Sequence, residues 1–128
     1  MNIYLDINGV LLTKDLQPAK HLNKFLTYIT GNFNVYWLTT HCKGDATATI
    51  QYLANHLDDD LIKLAKKIHP TNWSTLKTEA IDWNTPFLWF DDYLLETEKN
   101  ELSMHNALNN WIKIDLSKSE NALDLNTP

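Results

Sequence analysis

The stretch IYLDING, residues 3–9, decides the fold that we predict for this chain. A short apolar run stops abruptly at Asp6, which is typical of a buried strand in a parallel sheet. Gly9 follows and permits a turn that is closed to other residues. An acidic side chain that directly follows a strand lies at the carboxyl end of that strand, the edge at which open α/β sheets bind ligands.

Further strands and helices alternate along the rest of the chain. Pro18 is expected to start a helix that Gly31 ends. A strand at 35–38 precedes a helix over 45–57, which Asp45 caps. The stretch 58–70 fits a helix or a strand over 61–68, and we predict a third short strand near Ile68. The remaining predicted elements are a short helix from Ser74 to Ile81, a strand at 86–90, a helix over 97–109, a strand at 111–114 and one turn at 121–125.

This alternation predicts an α/β protein with a central parallel sheet between two layers of helices, a three-layer, Rossmann-like sandwich of about five strands. The length of 128 residues suits one domain, with a polar tail from about residue 117. Trp37 and Trp89 lie within predicted strands, so both are expected in the core.

The composition narrows the possible partners and compartments. The net charge is -5, and all basic residues are Lys. Nucleic acid is therefore not the expected partner, and phosphate must be bound by Lys and backbone N–H groups instead of Arg. The single cysteine, Cys42, forms no intrachain disulfide, which suits a reducing cytoplasm. Neither a signal peptide nor a membrane span is evident, so we expect a cytoplasmic protein without membrane contact.

Acidic residues and a hydroxyl group follow several of the predicted strands: Asp6, Thr39 and the pair Asp91-Asp92. Taken singly, such an Asp is more often a turn former or a helix cap. If the strands are neighbours, the three carboxylates converge and repel one another unless a cation binds there. Oxygen ligands of this kind favour Mg²⁺.

Four motifs in this order resemble those of the haloacid-dehalogenase-like (HAD-like) superfamily. They are YLDINGVLL at 4–12, VYWLTT at 35–40, the Lys of TLKTEAI at 75–81 and FLWFDD at 87–92. The resemblance covers roughly residues 1–115. It implies a Mg²⁺-dependent phosphohydrolase or phosphotransferase.

The resemblance also implies a role for each motif residue. Asp6 would be the nucleophile that forms an aspartyl-phosphate and would also bind Mg²⁺. Asn8 would bind the metal through its backbone carbonyl, and Asp91 and Asp92 directly or through water. Thr39 would contact the phosphoryl group, with Thr40 as the alternative. Lys77 would neutralise the phosphate, with Lys66 or Lys67 as the alternative. His41 and Cys42 follow the second motif, where an exposed loop His and a small buried Cys are the simpler interpretation.

Asn8 departs from the pattern, because hydrolases of this superfamily usually carry Asp there as the general acid and base. An amide cannot exchange a proton at neutral pH. Three explanations stay open: a naturally weak enzyme or a phosphate-binding pseudoenzyme, leaving groups of low pKa that need no acid, or an engineered change that traps the site.

The spacing of the motifs leaves no room for the cap domain that many relatives carry. An uncapped site accommodates a bulky phosphorylated substrate, a macromolecule included, and the sequence gives no oligomeric state. Two rival interpretations exist: a catalytically degenerate module that binds metal and phosphoryl groups or a partner protein, and a receiver domain, in which the paired acids would follow the first strand.

Overall fold

A computed structural model describes residues 1–128 and has an α/β fold built on one parallel sheet. The four strands are β1 (Asn2–Leu5), β2 (Asn34–Trp37), β3 (Phe87–Asp91) and β4 (Trp111–Lys113). Their order in the sheet is β2-β1-β3-β4, and every pair is parallel. The predicted α/β class is confirmed, and the arrangement is compatible with a Rossmann-like fold.

The fifth strand expected near Ile68 is not formed. Instead, His69 makes a single parallel bridge with Tyr36 at the outer side of β2. The His69 N–H donates to the Val35 carbonyl (2.9 Å), and the Trp37 N–H donates to the His69 carbonyl (2.8 Å). The next acceptor along this edge, the Trp37 carbonyl, accepts from the Thr71 hydroxyl instead of from the Thr71 N–H, so the pairing ends after one bridge.

Helices cover both faces of the sheet. They are α1 (Leu22–Asn32), α2 (Thr47–Ala54), α3 (Asp59–Ala65), α4 (Glu96–Met104) and α5 (Ala122–Leu125). The larger core lies between one face of the sheet and α1, α2, α3 and α5, and the smaller core lies between the other face and α4. Trp37 is buried in the larger core and Trp89 in the smaller one, as predicted. No helix has the length and apolar character needed to cross a membrane.

Three predicted helices are shorter in the structure, among them the one expected over 45–57, which covers only Thr47–Ala54 and has Ala46 instead of Asp45 at its N-cap. Helix α1 begins four residues after Pro18, because Pro18 pairs with Leu12 in an antiparallel bridge and His21 has a left-handed backbone (φ 65°). Helix α4 ends at Met104, because Asn106 also adopts positive φ (54°). A 3₁₀ turn, Leu108–Asn110, then leads into β4.

Ser74 does not cap the helix predicted through Ile81. Its backbone N–H and its hydroxyl both donate to the Glu79 carboxylate, each at 3.1 Å. This segment contains only the 3₁₀ turn Lys77–Ala80. The Glu79 side chain therefore stabilises the turn that carries Lys77, and the segment forms no regular helix.

The polar tail packs against α1. Leu123 of α5 is fully buried, and ion pairs join Lys20 to Glu120 (2.8 Å) and Lys24 to Asp124 (3.0 Å). The predicted turn at 121–125 is confirmed as α5.

Strand β1 is the point at which the chain changes direction across the sheet. The chain passes from β1 to β2 on one side and then returns to place β3 on the other side. In open α/β sheets, ligands bind outside the carboxyl ends of the strands at such a switch point.

Candidate active site

The carboxyl ends of β1 and β3 bring three acidic residues together. Leu5 pairs with Phe90, and the backbone N–H of Asp6 donates to the Phe90 carbonyl (3.0 Å). Asp6 directly follows β1, Asp91 ends β3, and Asp92 is the next residue. One carboxylate oxygen of each lies within 4.8 Å of the other two. The convergence expected from the sequence is therefore present.

Lys77 lies between two of these acids. Its ammonium nitrogen is 2.7 Å from Oδ2 of Asp91 and 3.6 Å from Oδ1 of Asp6. The side chains of Asp6 and Lys77 are only 13% and 14% exposed, and that of Asp91 is 1% exposed. The alternatives Lys66 and Lys67 are exposed residues after α3. We call Asp6, Lys77 and Asp91 the ionic wall.

Asp91 already contacts four donors. Its Oδ2 accepts from the Lys77 ammonium and from the Trp89 indole N–H (3.2 Å), and its Oδ1 accepts from the N–H groups of Asp92 (2.8 Å) and Tyr93 (3.4 Å). A carboxylate offers about four lone-pair sites. By contrast, the carboxylates of Asp6 and Asp92 accept no hydrogen bond within 3.5 Å. Asp91 is therefore committed to holding Lys77, whereas Asp6 and Asp92 have oxygens free for a ligand.

The ionisation of the ionic wall reflects burial and excess negative charge. Burial raises the pKa of Asp91 well above its usual range, repulsion from Asp6 adds to the rise, and Lys77 opposes it. Burial by itself would lower the pKa of Lys77, but the charges of Asp6 and Asp91 outweigh it and raise that pKa. One cation thus faces two buried acids, which favours the binding of a further cation.

Asn8 belongs to a second group of side chains, which contains an amide and two rings instead of the carboxylates and the ammonium of the ionic wall. Its Nδ2 lies 3.1 Å from Nε2 of His41, and its Oδ1 accepts from the Tyr52 hydroxyl (2.9 Å). The His41 and Tyr52 rings stack with their centroids 4.1 Å apart. We call these three residues the amide wall. The backbone carbonyl of Asn8 accepts no hydrogen bond, so it is free to bind a metal.

The two threonines of the second motif occupy different environments. Thr39 is fully buried, and its hydroxyl accepts from the His41 N–H (3.3 Å). Thr40 is exposed and lines the cavity that contains Asp6. The structure thus places Thr40 in the cavity. Cys42 is buried and His41 is half-buried, so the simpler interpretation holds for Cys42.

The cavity over the ionic wall has a volume of about 330 Å³. Three large apolar side chains line it beside the charged residues: half-buried Trp73, Tyr93 (68% exposed) and Leu95 (40% exposed). The Lys43 ammonium lies 4.4 Å from the centre of the Trp73 ring, within the range of a cation–π interaction. We call Trp73, Tyr93 and Leu95 the apolar mouth.

The free oxygens at this edge fit a small divalent cation. Asp92 supplies a carboxylate without a hydrogen bond, Asp6 supplies one whose Oδ1 has only the 3.6 Å contact with Lys77, and Asn8 supplies a free carbonyl, all hard ligands of the kind that Mg²⁺ prefers. Gly9 has positive φ (83°), and a Cβ there would collide with Oδ2 of Asp92. The missing side chain of Gly9 therefore lets the Asp92 carboxylate approach the loop that carries Asn8.

Sequence reasoning missed several residues of the site: Tyr52, Trp73, Tyr93 and Glu98. Buried Glu98 of α4 accepts from the Lys77 N–H (2.9 Å) and from the Leu95 N–H (3.2 Å). A Glu in the first turn of a helix was visible as a capping signal. Its contact with Lys77 is tertiary, and nothing in the sequence indicates it.

Comparisons of the chain with protein-family models, curated proteins and solved structures gave no match. The site is therefore interpreted from its own geometry.

Proposed function

We propose that this protein is a Mg²⁺-dependent phosphohydrolase or phosphotransferase of the HAD-like type without a cap domain. The observation that carries the proposal is the position of Lys77 between Asp6 and Asp91, 3.6 and 2.7 Å from their oxygens, beside the free carboxylate of Asp92. A lone acid at a strand end has many explanations. Asp91 holds the buried Lys77 ammonium beside Asp6. A positive charge fixed in this position suits phosphoryl transfer, which depends on positioning and charge stabilisation.

Asp6 is the proposed nucleophile. Its carboxylate oxygen attacks phosphorus, the bond to the leaving oxygen breaks, and an aspartyl-phosphate forms. Water then attacks phosphorus, the bond to Asp6 breaks, and phosphate is released with the carboxylate restored. Lys77 offsets charge on the phosphoryl oxygens, and Thr40 lies in the cavity as a donor to them. Mg²⁺ held by Asp6, Asp92 and the Asn8 carbonyl would supply further charge neutralisation.

The test is a phosphatase assay on a generic ester, p-nitrophenyl phosphate, with Mg²⁺ or with a chelator. We expect Mg²⁺-dependent turnover, which Asp6→Asn reduces by more than about 10⁴-fold because the nucleophile is lost. Asp60→Asn, at an exposed acid in the first turn of α3, is the matched control and should change nothing. Turnover that survives Asp6→Asn would exclude Asp6 as the nucleophile.

A second candidate function is a non-catalytic module that binds Mg²⁺ and a phosphoryl group. The Asn8 amide favours it, because it contacts His41 and Tyr52 and cannot itself donate an acidic proton where the superfamily pattern has Asp. Beryllium fluoride separates the candidates when combined with the assay. Attachment of the fluoride to Asp6, seen by ¹⁹F NMR, without turnover of any ester would identify the binding module.

A further inference from the structure

We propose that Glu98 is a positioning residue of the site, which holds Lys77 where its ammonium faces Asp6. This inference rests on the proposed phosphohydrolase function. The observation that carries it is a pair of contacts by which two acids, Glu98 and Asp91, hold opposite ends of the same lysine.

Lys77 is held at its backbone and at the tip of its side chain. Its backbone N–H donates to Oε2 of Glu98 (2.9 Å), and its ammonium donates to Oδ2 of Asp91 (2.7 Å). Both acids belong to one continuous stretch of chain, because Asp91 ends β3, Glu98 lies in the first turn of α4, and only residues 92–95 separate the two elements. The distance of the Lys77 ammonium from Oδ1 of Asp6, 3.6 Å, is therefore set by β3 and α4 together.

Helix capping does not explain why Glu98 is buried. Its Oε1 accepts from the Leu95 N–H (3.2 Å), directly before α4, which is the local contact of a capping box. Glu79 makes the same local contact with the Leu76 N–H (2.8 Å) before its 3₁₀ turn, yet Glu79 is exposed. Glu98 is only 3% exposed, and a buried carboxylate is costly unless hydrogen bonds compensate it. The contact that distinguishes Glu98 from Glu79 is the distant one, to Lys77.

The backbone of Lys77 depends on this distant contact. Lys77 is the first residue of the 3₁₀ turn 77–80, so its N–H has no acceptor within the turn. Glu79 accepts from the N–H groups of Ser74, Thr75 and Leu76, all of which precede Lys77. Glu98 is thus the group that fixes the Lys77 N–H.

The position of Lys77 affects the proposed reaction directly. Its ammonium offsets the charge on the phosphoryl oxygens while the phosphoryl group is attached to Asp6, and phosphoryl transfer depends on such positioning. A displacement of about 1 Å by a distant mutation can cost about 10²-fold in rate. Glu98 lines the same cavity as Asp6 but, in this proposal, acts only through Lys77.

The test is a double-mutant cycle on kcat for p-nitrophenyl phosphate at saturating Mg²⁺. Glu98→Gln leaves one acceptor oxygen for two N–H groups, and we expect kcat to fall by about 10²-fold while KM changes little. In a Lys77→Gln background the ammonium is already absent, so Glu98→Gln should have no further effect on kcat. Glu96→Gln, at an exposed acid in the same turn of α4, should leave kcat unchanged in both backgrounds.

A second readout needs no turnover. Beryllium fluoride attached to Asp6 presents fluorines in the place of the phosphoryl oxygens, so its ¹⁹F NMR signals report on the position of the Lys77 ammonium. Glu98→Gln should shift these signals, whereas Glu96→Gln should not. In the Lys77→Gln background neither change should shift them.

The outcomes separate this inference from the proposed function. An equal loss of kcat in both backgrounds, or a normal kcat of folded Glu98→Gln, would overturn the inference alone. If Glu98→Gln does not fold, Glu98→Asp, which keeps the charge but is one methylene shorter, enters the cycle with the same expected result. Failure of both variants to fold would assign Glu98 a structural role and overturn the inference. A parent chain that neither hydrolyses the ester nor binds beryllium fluoride would overturn the proposed function itself.

Discussion

The two walls of the candidate site face the same edge of the sheet but differ in burial and in charge. The ionic wall is buried, and its two acids share one lysine at 2.7 and 3.6 Å. The amide wall is more exposed, and Asn8 makes one polar contact to each of its other two side chains. One wall therefore has unbalanced charge that a cation can relieve, whereas the other has an amide at position 8, which cannot exchange a proton at neutral pH.

The two walls therefore differ in the chemistry that each can contribute to the site. A buried charge cluster is costly unless a ligand completes it, so it is a strong sign of function. A satisfied amide and phenol network costs little and is compatible with a purely structural role. In the proposed enzyme, nucleophilic attack would be retained on the ionic wall, and the acid–base assistance of a carboxyl group at position 8 would be missing.

The largest expected effect comes from placing a carboxyl group at position 8 of the amide wall. Asn8→Asp introduces a carboxyl group where the superfamily pattern has its general acid and base. Proton transfer by a positioned side chain is worth about 10²–10⁴-fold. We therefore expect turnover of glycerol phosphate at saturating Mg²⁺ to rise by that order, while p-nitrophenyl phosphate gains less.

Asn8→Ala is the control for this change, because it breaks the contacts with His41 and Tyr52 without supplying an acid. It should not raise turnover of either ester. If Asn8→Asp folds normally and brings no gain, the assigned position of the missing acid is wrong.

A smaller effect is expected from removing the cation of the ionic wall. Lys77→Met leaves Asp6 and Asp91 to repel each other in a buried environment. Breaking a buried ion pair from one side costs about 3 kcal/mol, roughly a 10²-fold shift of the unfolding equilibrium. Urea unfolding at neutral pH measures this change. Lys99→Met, at an exposed residue of α4, should have no measurable effect. Equal stabilities of the two variants would show that the ionic wall carries no unbalanced charge.

The smallest expected effect concerns the turn that supports the ionic wall. Backbone N–H groups of Leu76 and Ser74 hold the pKa of Glu79 at about 2, below its ordinary value of 4.5. Because the folded pKa is the lower one, this stabilisation is present above about pH 4.5 and is lost as the pH falls toward 2.

Glu79→Gln should therefore lower the urea midpoint at pH 6, and the gap to the parent chain should close on acidification. Glu96→Gln, at an exposed acid in the first turn of α4, provides the comparison. A gap that stays constant from pH 6 to pH 3 would mean that the Glu79 charge is not what holds the turn.

The sequence predicted the elements whose signal is local. Apolar runs that end at acids predicted β1 and β3, and their shared sheet edge followed from the parallel arrangement. The prediction from sequence was wrong where a contact with another segment of the chain decides the local structure. Pro18 suited a helix start, but its pairing with Leu12 placed it in a bridge. A strand was expected near Ile68, but the Thr71 hydroxyl occupies the Trp37 carbonyl and the His69 segment forms only one bridge.

For the site, the sequence by itself determined which chemical groups exist: the acids that follow two strands, a lysine between them in the chain, and an amide at position 8. Only the tertiary structure decided how those groups are used. It committed Asp91 to four donors, left Asp6 and Asp92 free, tied Asn8 to His41 and Tyr52, and placed Tyr93 at the mouth. The physical reason is that side-chain identity is local, whereas hydrogen-bond partners, burial and the resulting pKa shifts depend on residues brought together from distant parts of the chain.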